Sequence, residues 1–113
     1  MIYDPKIWLK NYDKGVPTDL DIKADSMMEY IEKRCHSHLH RPAFNFLGVQ
    51  RTYKELFDGA NKFAKGLSDK GIGKGDVVAI HMPNIPNYLF AMLGALKAGC
   101  AISGISPLLS PDE

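Results

Sequence analysis

The sequence predicts an α/β fold: part of a largely parallel sheet flanked by helices, preceded by a small β-hairpin and an irregular N-terminal arm. Two observations carry this expectation. Residues 56–67 set apolar side chains on one helical stripe, and residues 77–82 and 100–105 are strand-length apolar runs separated by a helix-length segment. Helix, strand, helix and strand with short connections form the pattern of an α/β layer, whose crossover is expected to be right-handed.

In chain order, residues 1–25 form the arm. They hold turn chemistry at Asp4-Pro5 and the isolated aromatics Trp8 and Tyr12, with no sustained period, so the arm is expected to lie on a larger body. Residues 26–113 follow as an incomplete α/β domain. Ser26-Met-Met-Glu29 reads as a capping box, and Met28, Ile31 and Cys35 then recur at helical spacing, giving a short amphipathic helix that ends before Pro42. Residues 43–47 and 49–52 flank Gly48 as a small hairpin.

Thr52-Tyr-Lys-Glu55 is a further capping box and opens the clearest helix. Leu56, Ala60, Phe63, Ala64 and Leu67 share one face, Lys54, Asp58, Lys62 and Lys65 the other, and Gly71 closes the element. Burying such a leucine or phenylalanine contributes about 1.5–3 kcal/mol, so the stripe must meet a sheet or another helix. Residues 77–82 are apolar on both faces apart from His81, as expected of a strand buried on both sides. Residues 86–98 are apolar almost all round behind Pro86, which suits a first helical position. Ser110-Pro111-Asp112-Glu113 is again a helix start, with a capping serine, a proline in the first position and an acid in the third. A start with no helix after it is expected of a chain that continues, so the chemistry served is expected to draw on residues beyond Glu113.

Composition excludes several classes of partner. Fourteen Lys plus Arg against 13 Asp plus Glu give a net charge of +1, which offers no basic field to nucleic acid. Hydrophobic residues are 45% of the 113, enough for one core. The longest apolar run, residues 88–96, falls well short of the about 20 residues of a membrane span. The first residues lack the basic start, apolar stretch and cleavage site of a secretory signal, and the only two cysteines, Cys35 and Cys100, each sit in an apolar pattern. A cytoplasmic protein is the expectation.

Three motifs invite a chemical reading. Gly71-Ile-Gly-Lys-Gly75 suggests a phosphate cradle, but a P-loop needs glycine where Ser68 stands and Ser or Thr where Gly75 stands. The run also ends a helix and enters a strand, the reverse of a phosphate loop, so a helix stop and tight turn are expected. Cys35-His-Ser-His38-Leu-His40 holds soft and borderline metal ligands, yet Cys35 and Leu39 continue an apolar stripe. His36, His38 and His40 suit the negative end of a helix dipole in solvent. His81 lies on an expected buried strand with no carboxylate or nucleophile at any local spacing, and is expected to be a hydrogen-bonded core residue. No catalytic, cofactor-binding or metal residue is assigned from these patterns.

Five segments in order carry a resemblance: Thr52-Tyr-Lys-Glu-Leu56, Lys70-Gly-Ile-Gly-Lys-Gly-Asp-Val-Val-Ala-Ile80, Met82-Pro-Asn84, Leu93-Gly-Ala-Leu-Lys-Ala-Gly99, and Pro107 with Glu113. Together they resemble the opening of the AMP-forming acyl-CoA synthetase family, which includes luciferases and the adenylation domains of peptide synthetases. Trp8-Leu-x-x-Tyr12 followed by Val16-Pro17 is similar to the start of long- and medium-chain fatty acyl-CoA ligases. The resemblance implies that the α/β unit is part of that fold's large N-terminal domain. It also implies a two-step ligase that uses ATP, magnesium and coenzyme A to activate a fatty acid. The family's phosphate loop, adenine-binding aromatic stretch, ribose-binding aspartate, hinge and catalytic lysine have no counterpart in residues 1–113. The loop of residues 106–111 follows a strand on the ligand side, but departs from the glycine-containing form that contacts coenzyme A in some relatives.

Two functions follow as expectations. The first is the N-terminal part of an ATP-dependent fatty acyl-CoA ligase, inert alone. The second is a short non-catalytic binding or assembly module on the same scaffold, self-associating through exposed sheet edges.

Overall fold

The computed structural model of the chain describes residues 6–110 and 112. The Asp4-Pro5 turn lies outside the described residues, as do two of the four residues of the C-terminal helix start, Pro111 and Glu113. Among its described residues the arm holds one 3-10 turn, Ile7–Asn11, and no buried residue up to Asp25.

Helix α1 is Met27–Cys35. Its Ser26 hydroxyl accepts the Glu29 N–H, as a cap should, but the Glu29 carboxylate accepts the N–H of Asp25 rather than that of Ser26. The expected reciprocal box is therefore displaced by one residue at its return contact. Met28 is buried, and a 3-10 turn, His36–His38, leads out of the helix.

The hairpin pairs β1, Pro42–Phe46, with β2, Val49–Thr52, antiparallel. Leu47 and Gly48 form its turn with φ of 50° and 84°, the primed geometry that matches strand twist, and the Asn45 carboxamide oxygen accepts the Gly48 N–H. Leucine gives no hint of positive φ. The turn's signal lies in Asn45 and Gly48.

Helix α2, Tyr53–Ser68, opens with a complete capping box: the Thr52 hydroxyl accepts the Glu55 N–H at 3.3 Å and the Glu55 carboxylate accepts the Thr52 N–H at 2.8 Å. That Thr52 N–H, together with the Arg51 guanidinium, holds the Glu55 carboxyl below the usual glutamate range. At the far end the Ile72 N–H reaches the Leu67 carbonyl and the Gly71 N–H the Ser68 carbonyl, with Gly71 at φ 75°. This is a Schellman stop, the role foreseen for Gly71. Helix α3, Pro86–Lys97, ends the same way: Cys100 N–H to Ala95, Gly99 N–H to Leu96, and Gly99 at φ 86°.

Each glycine stop feeds a strand. Strands β3, Val77–His81, and β4, Ala101–Ile105, pair in parallel with Val77 opposite Ala101 and His81 opposite Ile105. Helix α3 lies between this pair and α2, which explains its apolar character on several sides. The stripe of α2 thus meets a helix rather than the sheet. Met28, Leu56, Ala60 and Leu93 form the core, with Ile31, Phe44 and Phe90 packed on it. The helices approach closely at Gly94, where a Cβ would stand 2.7 Å from the Ala60 carbonyl oxygen.

The expectation that residues 77–82 are buried on both faces is corrected. Helix α3 covers one face of the pair, burying Ile80 and half-burying Val78 and Ile102, while Val77, Ala79 and Ile105 on the other pleat are exposed. His81 shares the open pleat and is exposed too, not a core histidine.

Candidate functional site

In parallel α/β sheets ligands bind beyond the carboxyl ends of the strands. Here that edge is built by the exits of β3 and β4. Residues 82–85 lead from β3 into α3, whose entry angle Pro86 fixes without losing a needed N–H. Residues 106–110 leave β4, and a weak local turn shapes them: the Leu108 N–H points to the Ser106 hydroxyl and the Leu109 N–H to the Ser106 carbonyl, both at 3.3 Å.

Between these exits lies a cleft of about 540 Å³. Its walls are Met82, Pro83 and Asn84 on one side and residues 104–108 on the other, with Tyr88 between them. Among the described residues no charged side chain lines it. The Tyr88 hydroxyl rests against Gly104 so closely that a Cβ there would stand 2.9 Å from it. Sequence reading passed over both residues. The available signal was a glycine inside a strand, which marks a close approach by another group.

A second, wider cleft of about 1060 Å³ opens between the hairpin, α2 and the start of α3. Phe44, Phe46, Phe63 and Phe90 give it an aromatic lining, and the Arg51–Glu55 ion pair at 2.9 Å stands among its lining residues.

Two of the three motifs weighed from the sequence, the glycine run and the Cys-His cluster, lie away from the carboxyl edge. In the segment 71–76 the Gly73 N–H donates to the Asp76 carboxylate at 2.8 Å and the Asp76 N–H to the Gly73 carbonyl. Those amides are committed to a turn, at the end of the sheet where β3 begins. Cys35 ends α1 half-buried, while His36, His38 and His40 are exposed around the following turn. Among the described residues no three His, Cys, Asp or Glu side chains converge as metal ligands. His81 stands at the exit of β3, yet it is not part of the cleft lining. Nor do the described residues of the 540 Å³ cleft fit ATP with magnesium, because none of them offers a cation to a phosphate or a carboxylate to a metal. Among the described residues no helix is long and apolar enough to cross a membrane.

Known proteins resemble this chain in sequence and in fold. Two long-chain fatty acid–CoA ligases, from Yersinia pestis and Haemophilus influenzae, are each 36% identical over 110 residues, 96% of this chain and 20% of their own length. The chain therefore spans about a fifth of these relatives. Among solved structures, the N-terminal subdomain of NpsA from Klebsiella oxytoca superimposes with a TM-score of 0.70 at 25% identity, over 76% of this chain and 23% of that one. The coronafacic acid ligase of Pectobacterium brasiliense gives 0.71 at 26%, over 76% and 17%. The model for the AMP-binding enzyme family matches residues 31–113, from within α1 to the last residue, and by that match and the ligase identities this chain belongs to the AMP-binding enzyme family.

Proposed function

We propose that this chain is the N-terminal part of an ATP-dependent fatty acyl-CoA ligase and makes no acyl-adenylate by itself. The observation that carries the reading is identity of 36% across 96% of the chain against only 20% of a long-chain fatty acid–CoA ligase. In the whole reaction a fatty-acid carboxylate attacks the α-phosphate of ATP and pyrophosphate leaves. The coenzyme A thiol then takes the acyl group and AMP leaves. Such chemistry depends on cations and donors converging on the phosphates. The described residues of the carboxyl-edge cleft supply no cation, so the contribution of this segment is scaffold: a glycine-stopped α/β layer that sets the strand exits. The same reading divides the chain into an arm, residues 1–25, and an incomplete domain, residues 26–113, and makes the protein cytoplasmic.

The test is the mass of the native protein, captured from its source through the arm. A mass several times 12.6 kDa, with pyrophosphate release that requires both ATP and a fatty acid, is expected. Pyrophosphate release by the 113 residues alone would overturn the inert assignment. A second reading, a non-catalytic assembly module, is favoured by one observation, the open apolar pleat of β3 and β4. It requires a native mass of 12.6 kDa and self-association, or association with a full-length relative, by light scattering.

A further inference from the structure

The carboxyl-edge cleft contains a contact that no spacing in the sequence announces. Tyr88, the third residue of α3, brings its hydroxyl to the backbone of Gly104, the fourth residue of β4. Glycine in a strand weakens it and leaves a gap, and here the phenol fills the gap. In the remaining wall the Leu108 and Leu109 N–H groups reach Ser106 at 3.3 Å, at the long end of the normal range, so this turn is weak.

We propose that Tyr88 and Gly104 are a positioning pair, in which the absent Cβ at residue 104 lets the phenol lie against β4 and so sets the width of the carboxyl-edge cleft and the path of residues 106–109. With any larger residue at 104 the hydroxyl must swing away. It is the far end of a half-exposed side chain, so the swing is cheap in stability. The ring then moves into the cleft it lines, toward the weak turn. Residue 104 thereby decides how much of the cleft is open to an uncharged ligand group, since no charged side chain among the described residues lines it. This inference rests on the geometry of the chain and stands apart from the ligase reading.

The test uses the 113-residue chain, its G104A and Y88F variants and the G104A/Y88F double variant, compared by amide NMR and thermal melting. In G104A the Ser106, Leu108 and Leu109 cross-peaks are expected to move by more than a linewidth while the melting temperature stays at the wild-type value. Adding Y88F, which deletes the atom in the way, is expected to return those peaks to within a linewidth of their positions in Y88F alone. Unmoved peaks in G104A would overturn the proposal. So would a loss of melting temperature with shifts spread over the whole chain, or shifts that persist in the double variant, because each makes Gly104 an ordinary packing position.

Discussion

The two pleats of the β3–β4 pair carry similar residues and meet different surroundings. Ile80 is 2% exposed beneath α3, whereas Val77, three residues earlier on the same strand, is 65% exposed and Ile105 39%. Apolar composition on both faces states what a strand is suited to. Whether a face is covered depends on which element packs there, and among the described residues only α3 does so. That is also why His81 was misjudged. Its alternation with Ile80 was plain in the sequence, but which pleat would be covered was not.

The contrast can be broken most directly in the core. Ile80→Ala is expected to cost about 2–5 kcal/mol in chemical denaturation, while Val77→Thr stays within about 0.5 kcal/mol. Equal losses at both positions would mean that the outer pleat is buried in solution. Next comes the packing that keeps α3 over the inner pleat. Gly94→Ala pushes a methyl toward the Ala60 carbonyl and the Phe63 Cβ and is expected to cost about 1–3 kcal/mol of overpacking, more than the roughly 1 kcal/mol gained in helix propensity. Gly66→Ala, with nothing within 4 Å of the added carbon, is expected to stabilise by about 0.4–1 kcal/mol. Should both changes act in the same direction, α2 and α3 do not touch as described.

Smaller effects sharpen the comparison at the surface. Leu47→Asn relieves a side chain at φ 50° and is expected to stabilise the hairpin by about 1 kcal/mol, read as a shift in midpoint with an unchanged slope. The smallest effect is electrostatic. The Glu55 carboxyl is held below its ordinary pKa in the folded chain, so its contribution is present above the unfolded value and lost as pH falls through the folded one. The stability advantage of the wild type over Glu55→Gln is therefore expected to shrink on acidification below about pH 4.3, the ordinary glutamate value. An advantage that grows there would reverse the sign.

Legibility from sequence followed the range of the interaction. The α2 box, the Gly71 stop and the alternation of elements are local devices, written within a few residues, and they stand where the spacing placed them. The turn at residues 71–76 was also legible, because its glycines failed the spelling and the position of a phosphate loop. Contacts that join distant segments were not. Nothing near Tyr88 names Gly104, nothing in Leu47 suggests positive φ, and the Glu29 return bond slipped by one residue because the backbone before Ser26 follows a path that spacing does not encode. The candidate site is made of such long-range contacts, which is why residue patterns assigned none.

The bond from the Cys100 thiol to the Gly73 carbonyl, at 3.3 Å, ties the residue before β4 to the turn before β3, and Cys100 is 4% exposed, while Cys35 is half-open at the end of α1. The two thiols thus form a built-in chronometer: a maleimide in native buffer labels one site quickly, and the second label arrives only as fast as the sheet comes apart.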